Sequence, residues 1–93
     1  MAYKFRGQVL ARSSTGYVRA WDITGVIKRG ASASTTALVG TPVITDVAAD
    51  SEAAAWAISI AADTINGSLQ IMAAGAASTT IYWLAEIQTV ELA

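Results

Sequence analysis

The chain has 93 residues, 14% of them charged, a net charge of −1, and neither cysteine nor histidine. These counts exclude a disulfide framework, a Cys/His zinc centre and any nucleophile pair built on Ser-His or Cys-His. Charged residues fall well short of the roughly 25% of an ordinary soluble domain, and 20 residues are alanine, so the surface is rich in Ala, Ser, Thr and Gly and poorly protected against self-association.

A period of two runs through most of the chain, the mark of strands with two different faces. Tyr3, Phe5, Gly7, Val9 and Ala11 alternate with Lys4, Arg6, Gln8, Leu10 and Arg12. After a turn at Ser13–Gly16, a second run sets Tyr17, Arg19, Trp21, Ile23, Gly25 and Ile27 against Val18, Ala20, Asp22, Thr24, Val26 and Lys28. The two runs predict a long antiparallel hairpin. Ala37–Val39 reads as a short strand and Gly40-Thr41-Pro42 as a break, because proline cannot donate to an interior ladder. Thr41, Val43, Thr45 and Val47 then form an edge-type strand.

Ala48–Ala55 has helix-forming residues but is too short to stand alone, so it reads as a loop or single turn. Trp56, Ile58 and Ile60 resume the alternation. Asn66-Gly67 then predicts a two-residue hairpin turn, in which both residues take positive φ. Ser68–Met72 returns, and Thr79–Leu92 is a long final strand. It carries Ile81, Trp83, Ala85 and Ile87 on one face and Tyr82, Leu84, Glu86, Gln88 and Val90 on the other. The expected fold is all-β: a small antiparallel β-sandwich or barrel of six to seven strands in one domain, residues 1–93, stabilised by association. The first, second and last strands are long enough to reach past one core and pair with a neighbour.

All six basic residues, Lys4, Arg6, Arg12, Arg19, Lys28 and Arg29, lie in the first third with only Asp22 against them, and every other acid lies from Asp46 onward. Halves of opposite sign pair within a chain or between copies. The spread of the basic residues and a pI near 5.0 argue against nucleic acid. The N-terminus lacks a signal-peptide pattern, and no apolar run reaches the roughly 18 residues of a membrane span. The expectation is synthesis in the cytoplasm, without membrane insertion.

Catalytic chemistry has little to stand on. Lys4 and Lys28 have no serine motif around them. Asp46, Asp50, Glu52 and Asp63 fall in loops or strand ends, where acids keep turns solvated, and the spacing of the first three matches no calcium loop. Gly25 and Gly30 lack the strand-loop-helix setting of a phosphate loop. No enzyme activity, cofactor or metal is expected. Trp21, Trp56, Tyr82 and Trp83 are the residues to watch. Each tryptophan is in phase with isoleucines, as core or interface residues are. Tyr82, on the face opposite Trp83, is the better candidate for stacking on a sugar.

Five stretches carry a family likeness: Trp21-Asp22-Ile23-Thr24-Gly25, Lys28-Arg29-Gly30-Ala31, Thr36-Ala37-Leu38-Val39-Gly40, Ala62-Asp63-Thr64-Ile65-Asn66-Gly67 and Thr79-Thr80-Ile81-Tyr82-Trp83-Leu84-Ala85. As a set they resemble the β-rich terminal module of tailed-bacteriophage structural proteins, of the tail-fibre, head-fibre or capsid-decoration type. The likeness spans about Trp21 to Glu91 and lies in turns and strand cores, so no binding residue carries over. It implies a virion protein that assembles with copies of itself, as a homotrimer, and with other virion proteins. A carbohydrate-binding module recognising a host-surface glycan is the alternative. The sequence departs from a fibre protein in having no long N-terminal attachment or repeat region, so the expectation is either an excised terminal domain or a small stand-alone virion protein such as a capsid-decoration or head-fibre component.

Overall fold

The computed structural model describes residues 1–92. β1 (Ala2–Ser13) and β2 (Val18–Lys28) form the expected hairpin, in unbroken register from Ala2 opposite Lys28 to Arg12 opposite Val18. β3 (Ala37–Ala49) pairs with β2, and β6 (Ile81–Leu92) pairs with β1. The result is a four-stranded antiparallel sheet of order β3-β2-β1-β6. β4 (Ala57–Asp63) and β5 (Ser68–Ala74) make a separate two-stranded sheet. Two 3-10 turns, Ala33–Thr35 and Ser51–Ala53, are the only helical segments among the described residues.

Three local expectations are corrected. The break at Gly40-Thr41-Pro42 is a bulge inside one continuous strand. Val39 faces Val26 and Val43 faces Thr24, so three residues of β3 bulge opposite Gly25. Gly40 takes φ +71° there, and β3 is an edge strand, so Pro42 removes no interior hydrogen bond.

The Asn66-Gly67 turn is a four-residue loop, because Asp63 pairs with Ser68. Asp63 Oδ1 accepts from the N–H groups of Ile65 and Asn66 at 3.0 and 3.1 Å, and Gly67 N–H donates to Asp63 O at 2.8 Å. This side-chain cap holds a wider loop in which Gly67 alone has positive φ, at +71°. Trp56, expected within a strand, precedes β4 and belongs to the connection from the Ser51–Ala53 turn.

Alternation places one side chain in two on each face of the large sheet. On the inner face Phe5, Val9 and Ala11 of β1 and Trp21, Ile23 and Ile27 of β2 are buried. The β4–β5 hairpin and the residues 51–56 connection cover them. Val9, Ala11, Trp21, Ala53 and Trp56 form one cluster, with Ile58, Ile81 and Trp83 packed against it. At the other end the hairpin tip reaches the end of β2, where the Arg29 guanidinium donates to Gly67 O at 3.4 Å. The molecule is elongated, 45 × 23 × 18 Å, with a radius of gyration of 14.7 Å, against about 12 Å for a compact chain of this length.

Candidate functional site

The aromatic residues separate by position. Trp21 and Trp56 lie in the core, 3% and 2% exposed, with no ring face free for a ligand. Trp83 is half-buried. In the ladder it stands beside Ala11, and Arg19 is on Ala11's other side. A methyl group at Ala11 leaves room for the Trp83 ring to lie across β1 and stack on Trp21, at 5.8 Å between centroids and 11° between planes. Tyr82 alone of the four points outward, on the opposite face of β6, with the Arg12 guanidinium 5.5 Å from its ring centroid.

Arg19 anchors the inner layer. Its Nη1 donates to the carbonyls of Ala53, Ala54 and Trp56 at 3.1, 2.9 and 2.7 Å. Nη2 and Nε grip the Asp46 carboxylate, the shortest contact being 2.9 Å. The guanidinium also lies 5.0 Å from the Trp21 ring. One side chain thus gathers the carbonyls at and just beyond the end of the Ser51–Ala53 turn and ties β2 to β3. Asp50 adds a second tie, with Val18 N–H donating to its Oδ2 at 2.9 Å, while Glu52 Oε2 accepts from Ser51 Oγ. The three neighbouring acids therefore face separate partners. Among the described residues no three Asp, Glu, His or Cys side chains gather as a metal site.

A cleft of about 260 Å³ lies between the hairpin tip and the sheet, lined by Tyr3, Phe5, Ile27, Leu69, Arg29 and Thr36 among others. The Thr36 hydroxyl is buried there without a partner. The volume is below the roughly 300–1,000 Å³ of small-molecule sites, which marks it as a packing gap under the tip.

Among the described residues nothing covers the outer face of the large sheet. Its side chains form transverse rows set by the register. Val39, Val26, Lys4 and Val90 make one row, and Val43, Thr24, Arg6 and Gln88 the next. Thr45, Asp22, Gln8 and Glu86 follow. Ala48, Ala20, Leu10 and Leu84 come after them, with the bulged Val47 beside Leu10 and Leu84. Val18, Arg12 and Tyr82 close the face.

Eight large apolar side chains on these rows are exposed, from 37% at Val18 to 72% at Val90. The centre is polar: Arg6 Nε donates to Gln88 Oε1 at 3.2 Å, and Asp22 and Glu86 flank Gln8 across the ladder. The chain exposes 5868 Å², against about 5,100 Å² for a compact monomer of 9.6 kDa. Two groups of exposed apolar side chains on either side of a polar centre mark an interaction site.

Sheet and surface together define an all-β protein with one covered and one uncovered face. No family model, curated protein or solved structure matches the chain. No helix among the described residues is long and apolar enough to cross a membrane.

Proposed function

We propose that this protein is a structural component of a phage particle, at a fibre tip, on a head fibre or on the capsid surface, and that its work is protein–protein assembly. The carrying observation is the uncovered outer face, with eight exposed large apolar residues on a sheet whose other face is already packed. The arrangement is a half-built sandwich, and a second protein layer supplies the missing half. Two long edges add to the reading. β3 and β6 each leave one side unpaired, and β6 has no proline, lysine or arginine to blunt it. The virion setting comes from the family resemblance.

Light scattering across a chromatography peak at two concentrations tests assembly. The expected mass is two or more times 9.6 kDa, in whole steps, and a monomer at tens of micromolar overturns it. Mass spectrometry of purified particles tests the setting: peptides of this chain are expected in the particle fraction, and their absence overturns the virion role.

A second reading, recognition of a host-surface glycan, rests on Tyr82, which is 56% exposed. Gln88, a polar partner for a bound sugar, lies six residues along the same strand, about 20 Å away. Asn66 sits at the hairpin tip and Gln70 on β5. Tyr82 thus stands without them. Hits on a glycan array that vanish in Tyr82→Ala would establish this reading, and an empty array removes it.

A further inference from the structure

Building on the assembly reading above, we infer that the outer face pairs with the same face of a second copy, about a twofold axis that lies across the strands between the Arg6 and Gln8 rows. Such an axis reverses strand direction and sets each strand over its own copy. The Arg6 row then lies on the partner's Gln8 row, and Arg6 comes within side-chain reach of the partner's Asp22 and Glu86. Gln88 and Thr24 meet acceptors in the same two carboxylates. In the next rows out, Val90 lies on the partner's Leu84, and Val39 on its Ala48 and Val47. Beyond them Leu92, opposite Ala2 in the ladder, lies on the partner's Tyr82.

The charge pattern selects this axis. A twofold along the strands, between β1 and β2, would lay each row on its own copy in reverse order, bringing Asp22 beside the partner's Asp22 and Glu86, and Arg6 beside the partner's Arg6. Like charges so placed disfavour the pairing. The crosswise axis turns the same residues into complementary sets and leaves one like pair, Lys28 beside the partner's Arg12, at the end of the face. Size agrees as well: four strands at about 4.8 Å spacing and about 11 residues at 3.4 Å rise give roughly 700 Å² per copy. The pair buries about 1,400 Å², within the roughly 1,200–2,000 Å² of stable interfaces. Aligned sheets with interdigitating side chains accommodate this layering.

The chain lacks cysteine, so engineered thiols report the geometry directly. In Leu84→Cys with Val90→Cys the two thiols lie six residues apart on one strand, about 20 Å, too far to bridge within a copy. Oxidation is expected to give a covalent dimer of twice 9.6 kDa, while Leu84→Cys or Val90→Cys alone cross-links far less. Equal cross-linking by the single variants, or none by the double, overturns the axis.

Arg6→Glu alters an exposed side chain and is expected to weaken pairing by about 30-fold or more. Adding Glu86→Arg is expected to recover part of that loss. Circular dichroism and tryptophan emission check that each variant is folded. A wild-type trimer, the number the family resemblance implies, overturns this pairing and leaves the assembly reading standing. A wild-type monomer overturns both.

Discussion

The two faces of the four-stranded sheet are made by the same strands from nearly the same kinds of residue, yet they end in different surroundings. On the inner face Phe5, Val9, Trp21, Ile23 and Ile27 are buried under the β4–β5 hairpin and the connection ending at Trp56. On the outer face Leu10, Leu84 and Val90 stand in the open. An antiparallel sheet that meets water on one side normally alternates apolar with polar, whereas strands covered on both sides are apolar throughout. These strands follow the first rule in the middle rows and depart from it toward their ends, where Val39, Leu10, Leu84 and Val90 stand exposed among Lys4 and Arg12. The chain is patterned for two covers and supplies one. That asymmetry carries the functional reading, and it is open to attack from either side.

The largest effect belongs to the inner cover. Trp56 fills the end of the core and is 2% exposed, so Trp56→Ala removes a full aromatic side chain where nothing can refill the space. The expected loss is about 3–5 kcal/mol in a urea titration. For a chain of this length that is a large part of a total stability of roughly 5–14 kcal/mol. A loss below about 1 kcal/mol would mean that the inner face is no better covered than the outer one.

Next comes the side chain that holds the cover down. Arg19→Met keeps an apolar stem but leaves the Ala54 and Trp56 carbonyls and Asp46 without their donor. The expected cost is about 2–4 kcal/mol, with faster amide exchange across residues 50–56. Asp46→Asn, at a carboxylate that is 60% exposed, is expected to cost about 1 kcal/mol or less. Similar losses for the two would assign the anchoring to the ion pair rather than to the carbonyls.

These two residues also mark how far the sequence reads. Trp21, Phe5, Val9 and Tyr82 sit on the faces that alternation assigns them, because a period of two is a local property of the strand. The β1–β2 hairpin was legible for the same reason: its partners are neighbours in sequence. Sheet order was not, since β1 meets β6 across most of the chain's length and no local signal encodes that pairing. Arg19 was invisible as an anchor because its partners are backbone carbonyls 34 to 37 positions away, and every residue type carries a carbonyl. The Asn-Gly turn misled because the acid at Asp63, three residues earlier, competes for the loop's N–H groups. The outer face was half legible: its apolar residues alternate visibly, but whether the chain covers them depends on where one hairpin lands.

A smaller effect lies at the hairpin tip. Hydrogen bonds from the Asn66 side chain first, then from the backbone N–H groups of Asn66 and Ile65, hold the Asp63 carboxyl below its ordinary value of 3.8. A carboxyl lowered in the folded state binds its proton more readily when unfolded. Its contribution is therefore complete above the unfolded value, near pH 4, and fades as pH falls through the lowered folded value. Acid is expected to loosen the loop at residues 64–67 before the core responds, seen as amide signals of Ile65 and Asn66 shifting below pH 4. In Asp63→Asn that acid-dependent shift is expected to vanish. Its persistence would place the titrating group elsewhere.

The smallest effect is the most informative about the comparison. Val90→Thr keeps a β-branched side chain on an exposed strand position, so strand preference is nearly unchanged. With the face open to water, the expected change in stability is within about 0.5 kcal/mol, measured by thermal unfolding at sub-micromolar protein. The same variant at high concentration meets different physics. Whatever binds the folded chain raises its apparent stability by mass action, and Val90 lies on the surface inferred to take a second copy. Wild type is then expected to gain melting temperature with concentration and Val90→Thr to gain less, so that the two curves diverge as protein is added. Curves that stay parallel would mean that Val90 faces water at every concentration, and the second cover would have to be sought along the free edges of β3 and β6.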